Sequence, residues 1–306
     1  MDLTKIKAVK AVSAIAPLAF GISLLTPGAA HAATGMVQLD QVATQQLPYY
    51  FNCASWCSGY LGPVDTSPIV ASNVSAEPEG TPTTTLGDTW YIGSATLTND
   101  SDRDQTLSSA SFSKEIKQTL STSVTNGVQL GAKVIATVNF GPVQAGGELS
   151  TTVNFSSTDT ESTTTGETYM APPQNIFLPA HTQADVSVTL QQVDTTGSLH
   201  LRADLSGMPT TQVSGFQGEL ADILGPNTRY GPQKVGAPAL PDGITVDTVN
   251  KTVHFDGEAT YTATYGTNMY VDVSYSPEGN GDSKAIATTP SSYRYTIATP
   301  QDSAAH

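Results

Sequence analysis

Two cysteines are the residues of this 306-residue chain with the most evident chemistry, and they stand four positions apart as Cys53 and Cys57. A thioredoxin-type redox pair would need a C-x2-C spacing at the start of a helix, and this pair has one residue more. In an oxidising compartment the two thiols would instead close a small local disulfide. Because short loops gain least from closure, such a bond would steady its own turn more than the whole fold.

Three aspartates, Asp100, Asp102 and Asp104, imitate the start of a calcium-binding EF-hand loop. That loop needs glycine at its sixth position and a bidentate glutamate at its twelfth. Gln105 and Ser111 occupy these two positions, so the sequence predicts a solvated turn and no metal site.

The histidines offer no catalytic pattern either. His181, His200 and His254 are scattered, and the chain has no H-E-x-x-H, G-x-S-x-G or Walker sequence. Each is expected to be a solitary surface or strand histidine. The sequence therefore predicts a protein that is not an enzyme, with no catalytic residue and no cofactor.

An export signal occupies residues 1–32. Lys5, Lys7 and Lys10 precede a mostly apolar run, and an A-x-A cleavage sequence ends at Ala32. The run is too short for a membrane anchor, so we expect a secreted, extracellular protein. The full sequence carries a net charge of −14, and an acidic chain repels nucleic acid. No nucleic-acid partner is expected.

Most of the remaining chain has the composition of β-strands. Several segments are rich in Ser, Thr and Val, poor in helix formers, and bounded by Gly, Pro or Asp. They are residues 90–97, 107–123, 159–169, 184–192 and 198–205. The only helix candidate is a short one at residues 216–224, and the Pro- and Gly-containing residues 62–85 are interpreted as a linker or irregular edge. The predicted fold class is all-β.

A two-residue period runs through residues 128–155, where apolar and polar side chains alternate on both sides of Gly141 and Pro142. Such alternation is typical of strands with one apolar and one polar face. A turn at Gly141-Pro142 would place Phe140 opposite Val143, and it would match every apolar position with another apolar position.

This hairpin has two interpretations. It could be an ordinary hairpin of a soluble sandwich, or two strands of a membrane barrel, since each arm exceeds the roughly 9 to 11 residues that cross a bilayer. The membrane interpretation would make one face lipid-facing: Val128, Leu130, Val134, Val138, Phe140, Val143, Leu149, Val153 and Phe155. The other face would line the pore: Gln129, Lys133, Thr137, Asn139, Gln144, Glu148, Ser150, Thr152 and Asn154. Ile135 and Thr151 depart from this pattern.

The most aromatic stretch of the chain surrounds the two cysteines. Tyr49, Tyr50, Trp56 and Tyr60 lie there among polar residues. Aromatic side chains on a pinned loop are suited to contact a receptor or a sugar, and they are equally suited to fill the core of a small head. Both possibilities stay open from the sequence.

Three short motifs resemble the aerolysin-type β-pore-forming toxins, in the branch of the epsilon and mosquitocidal toxins. They are LTNDSDRDQTL at residues 97–107, SFSK at residues 111–114 and YMAPP at residues 169–173. The resemblance covers residues 86–205 well, with a looser similarity at residues 253–261. It implies an elongated all-β protein that docks on a target cell through an unknown receptor, forms a homo-oligomeric ring and inserts one hairpin per protomer.

The resemblance also implies a division of the chain. Residues 33–85 would form an N-terminal receptor-binding head and residues 86–306 a pore-forming module, with the insertion hairpin at about 121–160. Residues 277–306 would form a tail that is removed on activation by cleavage near Lys284 or Arg294. The alternative is a non-lytic secreted adhesin or lectin-like protein that binds and never inserts.

Overall fold

A computed structural model describes residues 35–53, 57, 61–143, 147–277 and 292–297. The predicted signal peptide at residues 1–32 and most of the predicted tail lie outside these residues. In the described ranges, no helix combines the length and the apolar composition that a membrane-spanning helix requires.

One large sheet dominates the described residues, as the all-β prediction requires. Its strand order is β1-β5-β13-β10-β3, with β1 (Gly35–Gln38) parallel to β5 and the other neighbours antiparallel. The four long strands are β3 (Val70–Asn99), β5 (Phe112–Gln129), β10 (Thr182–Ser206) and β13 (Thr252–Pro277). At about 3.3 Å per residue, the 30 residues of β3 would extend roughly 100 Å.

Strand β13 pairs along its whole length with β10 and shares its other edge among three partners. These are β12 (Ile244–Asp247), β5 and β14 (Tyr293–Ile297). Strand β8 (Glu161–Ala171) extends the sheet beyond β5. Three small sheets pair β2 (Val64–Asp65) with β11 (Thr210–Thr211), β4 (Gln105–Ser108) with β9 (Asn175–Leu178), and β6 (Ile135–Val143) with β7 (Gly147–Asn154).

The buried side chains form two separate clusters. One lies beneath β6 and β7 and continues to the two helices, with Leu199, Leu201 and Phe255 among its members. The other lies along the second half of β13, around Val186, Val188 and Met269. The alternating burial of β10 and β13 supplies the inward side chains of both clusters, as expected for strands with one covered face.

Helix α1 (Leu39–Tyr50) contradicts the expectation that the chain has no helix before residue 216. Leu39, Ala43 and Leu47 are fully buried, and their spacing of four residues is a helical signal that the β-rich composition of the chain obscured. The second helix, α2 (Leu220–Leu224), falls within the short predicted candidate and contacts α1. We call α1, α2 and residues 226–243 between α2 and β12 the helical region.

Of the two interpretations of residues 62–85, the linker is wrong for most of the segment, because β3 begins at Val70 and crosses residue 85 without interruption. The irregular edge is confirmed there, since β3 is an edge strand whose register with β10 shifts at several points. Its prolines are compatible with a strand because β3 pairs on one side only, with β10. Pro78 and Pro82 can therefore turn their missing N–H groups away from the ladder. Prolines on such an edge also oppose the addition of a further strand.

Candidate membrane-insertion hairpin

The predicted hairpin exists, but it is shorter than predicted and its register differs. Its strands β6 and β7 have 9 and 8 residues, because Val128 and Gln129 belong to β5 of the large sheet and residues 130–134 lie in no strand. Strand β6 pairs with β7 so that Phe140 faces Leu149 and Val138 faces Thr151. The expected turn at Gly141-Pro142 is therefore wrong, because both residues belong to β6. The shift relative to the expected partner of Val138, from residue 145 to residue 151, is an even number of residues, so every side chain keeps its face.

The apolar face of residues 128–155 is buried, with Val128 inside β5 of the large sheet and the apolar residues of β6 and β7 packed against that sheet. Most of the side chains predicted to face lipid are at most 8% exposed: Val128, Leu130, Val134, Val138, Leu149, Val153 and Phe155. Phe140 is half-buried, and its ring centroid lies 4.4 Å from that of Tyr261. These residues form part of the first core cluster, which also includes Leu199 and Phe255 of the main sheet.

The opposite face is open to solvent. The exposed side chains are Gln129, Lys133, Thr137, Asn139, Ser150 and Thr152, and Asn154 is half-buried. Gln144 lies outside the described residues, and for Val143 and Glu148 only the strand backbone is described. The structure thus has the predicted alternation, while the assignment of its faces to lipid and lumen stays a prediction.

Two positions of β6 and β7 break the alternation, as the sequence indicates, and Ala132 is exposed in the segment before β6. Ile135 is 46% exposed on the polar face, and Thr151 is buried on the apolar face. The Thr151 hydroxyl lies 2.9 Å from the hydroxyl of Thr163 in β8, so its buried oxygen has a partner. This contact fastens β7 to the neighbouring strand.

Side-chain packing, and not a strand ladder, holds the hairpin on the body of the protein. Within the described residues β6 and β7 form a sheet of two strands only. Besides the Thr151–Thr163 contact, the bonds to the main sheet are few. Thr122 Oγ1 donates to the carbonyl of Thr152 over 3.3 Å, and Val128 N donates to the carbonyl of Phe155 over 3.0 Å. Detaching the hairpin would therefore break few backbone hydrogen bonds, whereas detaching a paired strand would break a full ladder.

The connection between hairpin and sheet is compact. Phe155 N donates to the carbonyl of Val134 over 2.9 Å, and Ser156 N donates to Asn154 Oδ1 over 3.1 Å. A side chain at Gly127 would collide with the carbonyl oxygen of Phe155. The close approach of these two segments therefore requires a glycine at residue 127.

The predicted receptor-contacting aromatics are only partly described. Trp56 and Tyr60 lie outside the described residues, whereas Tyr49 and Tyr50 are half-buried. The Tyr50 ring packs edge-on against Phe51 at 5.4 Å, and burial raises the pKa of its hydroxyl. Tyr50 therefore contributes to the core of the helical region, and its role in receptor binding stays a prediction.

The disulfide prediction is confirmed, since Cys53 and Cys57 are bonded and both are buried. Beside this loop, the Arg229 guanidinium lies 5.3 Å from the ring of Phe51 and 5.0 Å from that of Phe216. The guanidinium of Arg229 thus lies between two aromatic rings. These contacts connect the end of α1 to the loops that contain Phe216 and Arg229. No local pattern in the sequence indicates this contact, because the partners are far apart in the chain.

Five exposed apolar side chains lie in the loops between β10 and β13. They are Met208, Val213, Tyr230, Val235 and Val249. The sequence interpretation missed them, since isolated apolar residues within Gly- and Pro-rich loops carry no periodic signal. Tyr230 and Val235 belong to the helical region, and their exposure makes this loop a second candidate contact surface.

The aspartates that imitate a calcium loop have other partners. Asp102 Oδ1 lies 2.9 Å from His181 Nε2, and Asp104 accepts from Ala180 N over 3.1 Å. No group of three or more His, Cys, Asp or Glu residues in the described ranges could hold a metal ion. These carboxylates brace the turn between β3 and β4 against the residues before β10.

Comparison with known proteins adds three findings. The family model described as Clostridium epsilon toxin ETX/Bacillus mosquitocidal toxin MTX2 matches residues 64–287. No curated protein matches the sequence. Among solved structures, the Mpp75Aa1.1 β-pore-forming protein from Brevibacillus laterosporus is similar with a TM-score of 0.58 at 22% identity, over 85% of this chain and 95% of that one.

Two further structures share the fold at low identity. A non-toxic crystal protein from Bacillus thuringiensis has a TM-score of 0.61 at 17% identity, covering 81% of this chain and 100% of that chain. The Cry23Aa1 and Cry37Aa1 binary complex has a TM-score of 0.54 at 16% identity, covering 87% and 97%. At these identities the similarity establishes the fold alone.

Proposed function

Because this chain belongs to the family of Clostridium epsilon toxin and Bacillus mosquitocidal toxin MTX2, we propose that it is a secreted toxin that forms membrane pores through the β6–β7 hairpin. The observation that carries this proposal is the hairpin itself. It has one apolar and one polar face, and it is attached to the main sheet without a strand ladder. The similar Brevibacillus protein is itself described as β-pore-forming.

Insertion exchanges one apolar environment for another. Val134, Val138 and Leu149 are buried in the protein and would be buried in lipid after insertion. Full burial of such a side chain is worth about 1.5 to 3 kcal/mol in either place, so this contribution largely cancels between the two states. The exposed hydroxyl and amide side chains would meanwhile stay in water inside the pore.

Assembly must accompany insertion. A single hairpin in lipid would expose unpaired backbone N–H and C=O groups, each at a cost of several kcal/mol, whereas a closed barrel pairs all of them. Eight strands make a barrel filled by its own side chains, and about sixteen leave an aqueous channel. With two strands per protomer, a filled barrel would need about four copies and an open channel about eight, so the proposed pore needs more than four copies, on the order of six or more. Lys133 and Glu148 would be its charged lumen groups and would influence ion selectivity.

The target would be recognised outside the hairpin. We assign this role to the region that contains the disulfide loop, with Tyr49, Trp56 and Tyr60, and to the exposed apolar loop residues that include Tyr230 and Val235. The receptor would lie on the surface of a target cell, and the proposal sets no chemical class for it.

Strand β14 supports the proposed activation by removal of a tail. It pairs with β13 from Met269 to Val273, and Arg294 forms a bidentate ion pair with Asp272 at 2.6 and 3.0 Å. Cleavage at Arg294 would divide β14 and uncover the edge of β13, which could then pair with another strand. The alternative cleavage position, Lys284, lies outside the described residues.

The proposal is tested by mixing the protein, before and after limited trypsin treatment, with susceptible cells or liposomes. We expect release of an entrapped dye together with an oligomer that resists detergent. Binding to cells without leakage or oligomer would support the non-lytic alternative instead. That alternative has its own support, since one protein with the same fold is described as non-toxic.

A further inference from the structure

A cavity of about 410 Å³ lies in the helical region, away from the hairpin. It is bounded by α1, the end of α2, β12 and the loop between α2 and β12. Its lining is mostly apolar, with three polar side chains: Gln46, Gln233 and Lys234. A cavity of this size, apolar with a few polar groups, has the usual character of a small-molecule site.

Lys234 is the unusual residue of this cavity. Its ammonium donates to the carbonyl of Ile223 and contacts Gln46 Oε1 at 3.5 Å. An ammonium has three N–H donors, so one remains after these contacts. Burial lowers the pKa of Lys234 to about 8, and no acidic residue contributes to that shift.

A counter-ion for this cation is missing from the described part of the chain, although the protein is strongly acidic. No carboxylate there lies within 4 Å of Lys234 Nζ, and Lys234 is the only ionisable residue described in the lining. Three acidic residues of the surrounding elements bond elsewhere: Asp222 of α2 pairs with Lys251, Asp247 of β12 accepts from Val249 N and Asn250 N, and Asp40 of α1 accepts from Gln41 N. Asp242 of the loop is exposed and lies outside the lining.

The site around the cation is fixed by contacts of its own. Gln46 is 3% exposed, and its amide donates to the carbonyl of Pro238 over 2.6 Å. Lys234 N donates to the carbonyl of Pro226 over 2.8 Å, which closes this part of the loop, and the bond from its ammonium to Ile223 holds the loop against α2. The polar groups therefore keep their places beside the apolar surfaces of Leu224, Leu240 and Val246.

We propose that this cavity binds a small organic carboxylate, whose anionic group pairs with the Lys234 ammonium while its apolar body lies against Leu224, Leu240 and Val246. An anion at this point would compensate a partly buried charge that the protein leaves unpaired. The ligand could be a free organic acid or the carboxylate of a cell-surface sugar, since both present the same group. The site is independent of pore formation.

The test is a titration followed by calorimetry and thermal shift, with phenylacetate and its neutral isostere phenylacetamide as probes. We expect phenylacetate to bind at least tenfold more tightly than phenylacetamide and to raise the melting temperature. Its affinity should fall about tenfold per pH unit above pH 8, as the ammonium loses its proton. Equal binding of both probes, or no binding of either, would overturn the proposal.

Two variants locate the site. Lys234→Met should abolish the preference for phenylacetate, whereas Lys251→Met removes the same charge outside the lining and should preserve it. If Lys234→Met does not fold, Leu240→Trp, which fills the cavity and keeps the lysine, should abolish binding. Once phenylacetate is shown to bind, a comparison of 3′-sialyllactose with lactose distinguishes the two sources. Tighter binding of the sialoside favours a sugar carboxylate, and binding of phenylacetate alone favours a free acid.

Discussion

A disulfide between the hairpin and β8 should block pore formation. Thr151 and Thr163 are suited to it, because their hydroxyl oxygens already lie 2.9 Å apart and connect β7 with β8. Replacing both residues by cysteine would tie the hairpin to the main sheet at a place where the side chains face each other. We expect the oxidised variant to bind target membranes and to cause no leakage.

The expected effect follows from the distance that would separate residues 151 and 163 after insertion. Twelve residues separate positions 151 and 163, and in one straightened strand they would span about 40 Å. A disulfide holds its two Cα atoms within about 7 Å. If the chain after β7 straightens as the hairpin inserts, residues 151 and 163 must move apart, and an intact disulfide prevents this. The loss of activity should therefore be complete and not partial.

The assay is dye release from liposomes or cells, with and without dithiothreitol, after the crosslink has been verified by mass spectrometry. Reduction should restore leakage to the level of the wild type treated with the same reductant, which corrects for the native Cys53–Cys57 bond. A matched control places cysteines at Thr137 and Thr152, which face each other within the hairpin. That pair would stay opposed in a barrel, so its oxidised form should remain active. Undiminished leakage from the oxidised Thr151–Thr163 variant would refute insertion of this hairpin.

Three further predictions concern stability and the β14 contact. Phe155→Ala should lower the free energy of unfolding by about 3 to 5 kcal/mol in urea titrations, because this side chain is fully buried beside Phe255, whereas Thr137→Ala on the exposed face should change it by less than about 0.5 kcal/mol. Asp272→Asn should speed trypsin cleavage at Arg294 by up to about fivefold, since an exposed ion pair contributes at most about 1 kcal/mol; an unchanged rate would mean that other contacts hold β14. Hydrogen bonds from Asn73, and secondly His254, lower the pKa of Asp204 from 3.8, so this carboxylate stabilises the fold above that pH and the effect is lost as the pH falls below it. In Asp204→Asn, the free energy of unfolding should therefore fall less steeply as the pH is lowered through this range. An unchanged pH dependence would contradict the role given to Asp204.

The faces of the hairpin could be predicted because strand alternation is a local property. Side chains two positions apart lie on the same side whatever the strand pairs with, so Val134 and Val138 had to share a face. The pairing partner is not local. Both the expected and the observed register match apolar with apolar positions, and the pattern alone could not choose between them.

Helix α1 was not predicted, for a different reason. Its apolar spacing is visible in the sequence, yet its type is decided by burial against α2, about 180 residues later in the chain. The cation at Lys234 is a similar case, since its contact with Gln46 joins residues 188 positions apart. Contacts between remote residues leave no spacing signal in the sequence.

By itself, the sequence determined the β-rich character of the chain, its resemblance to a toxin family, the local disulfide and the two faces of the hairpin. All four depend on neighbouring residues, whose relations are fixed by backbone geometry and by short motifs. The tertiary structure decided the register of the hairpin, its attachment by packing without a ladder, the pairing of β14 with β13 and the cavity at Lys234. These features arise where distant segments meet, so their energies depend on packing that no single stretch of sequence contains.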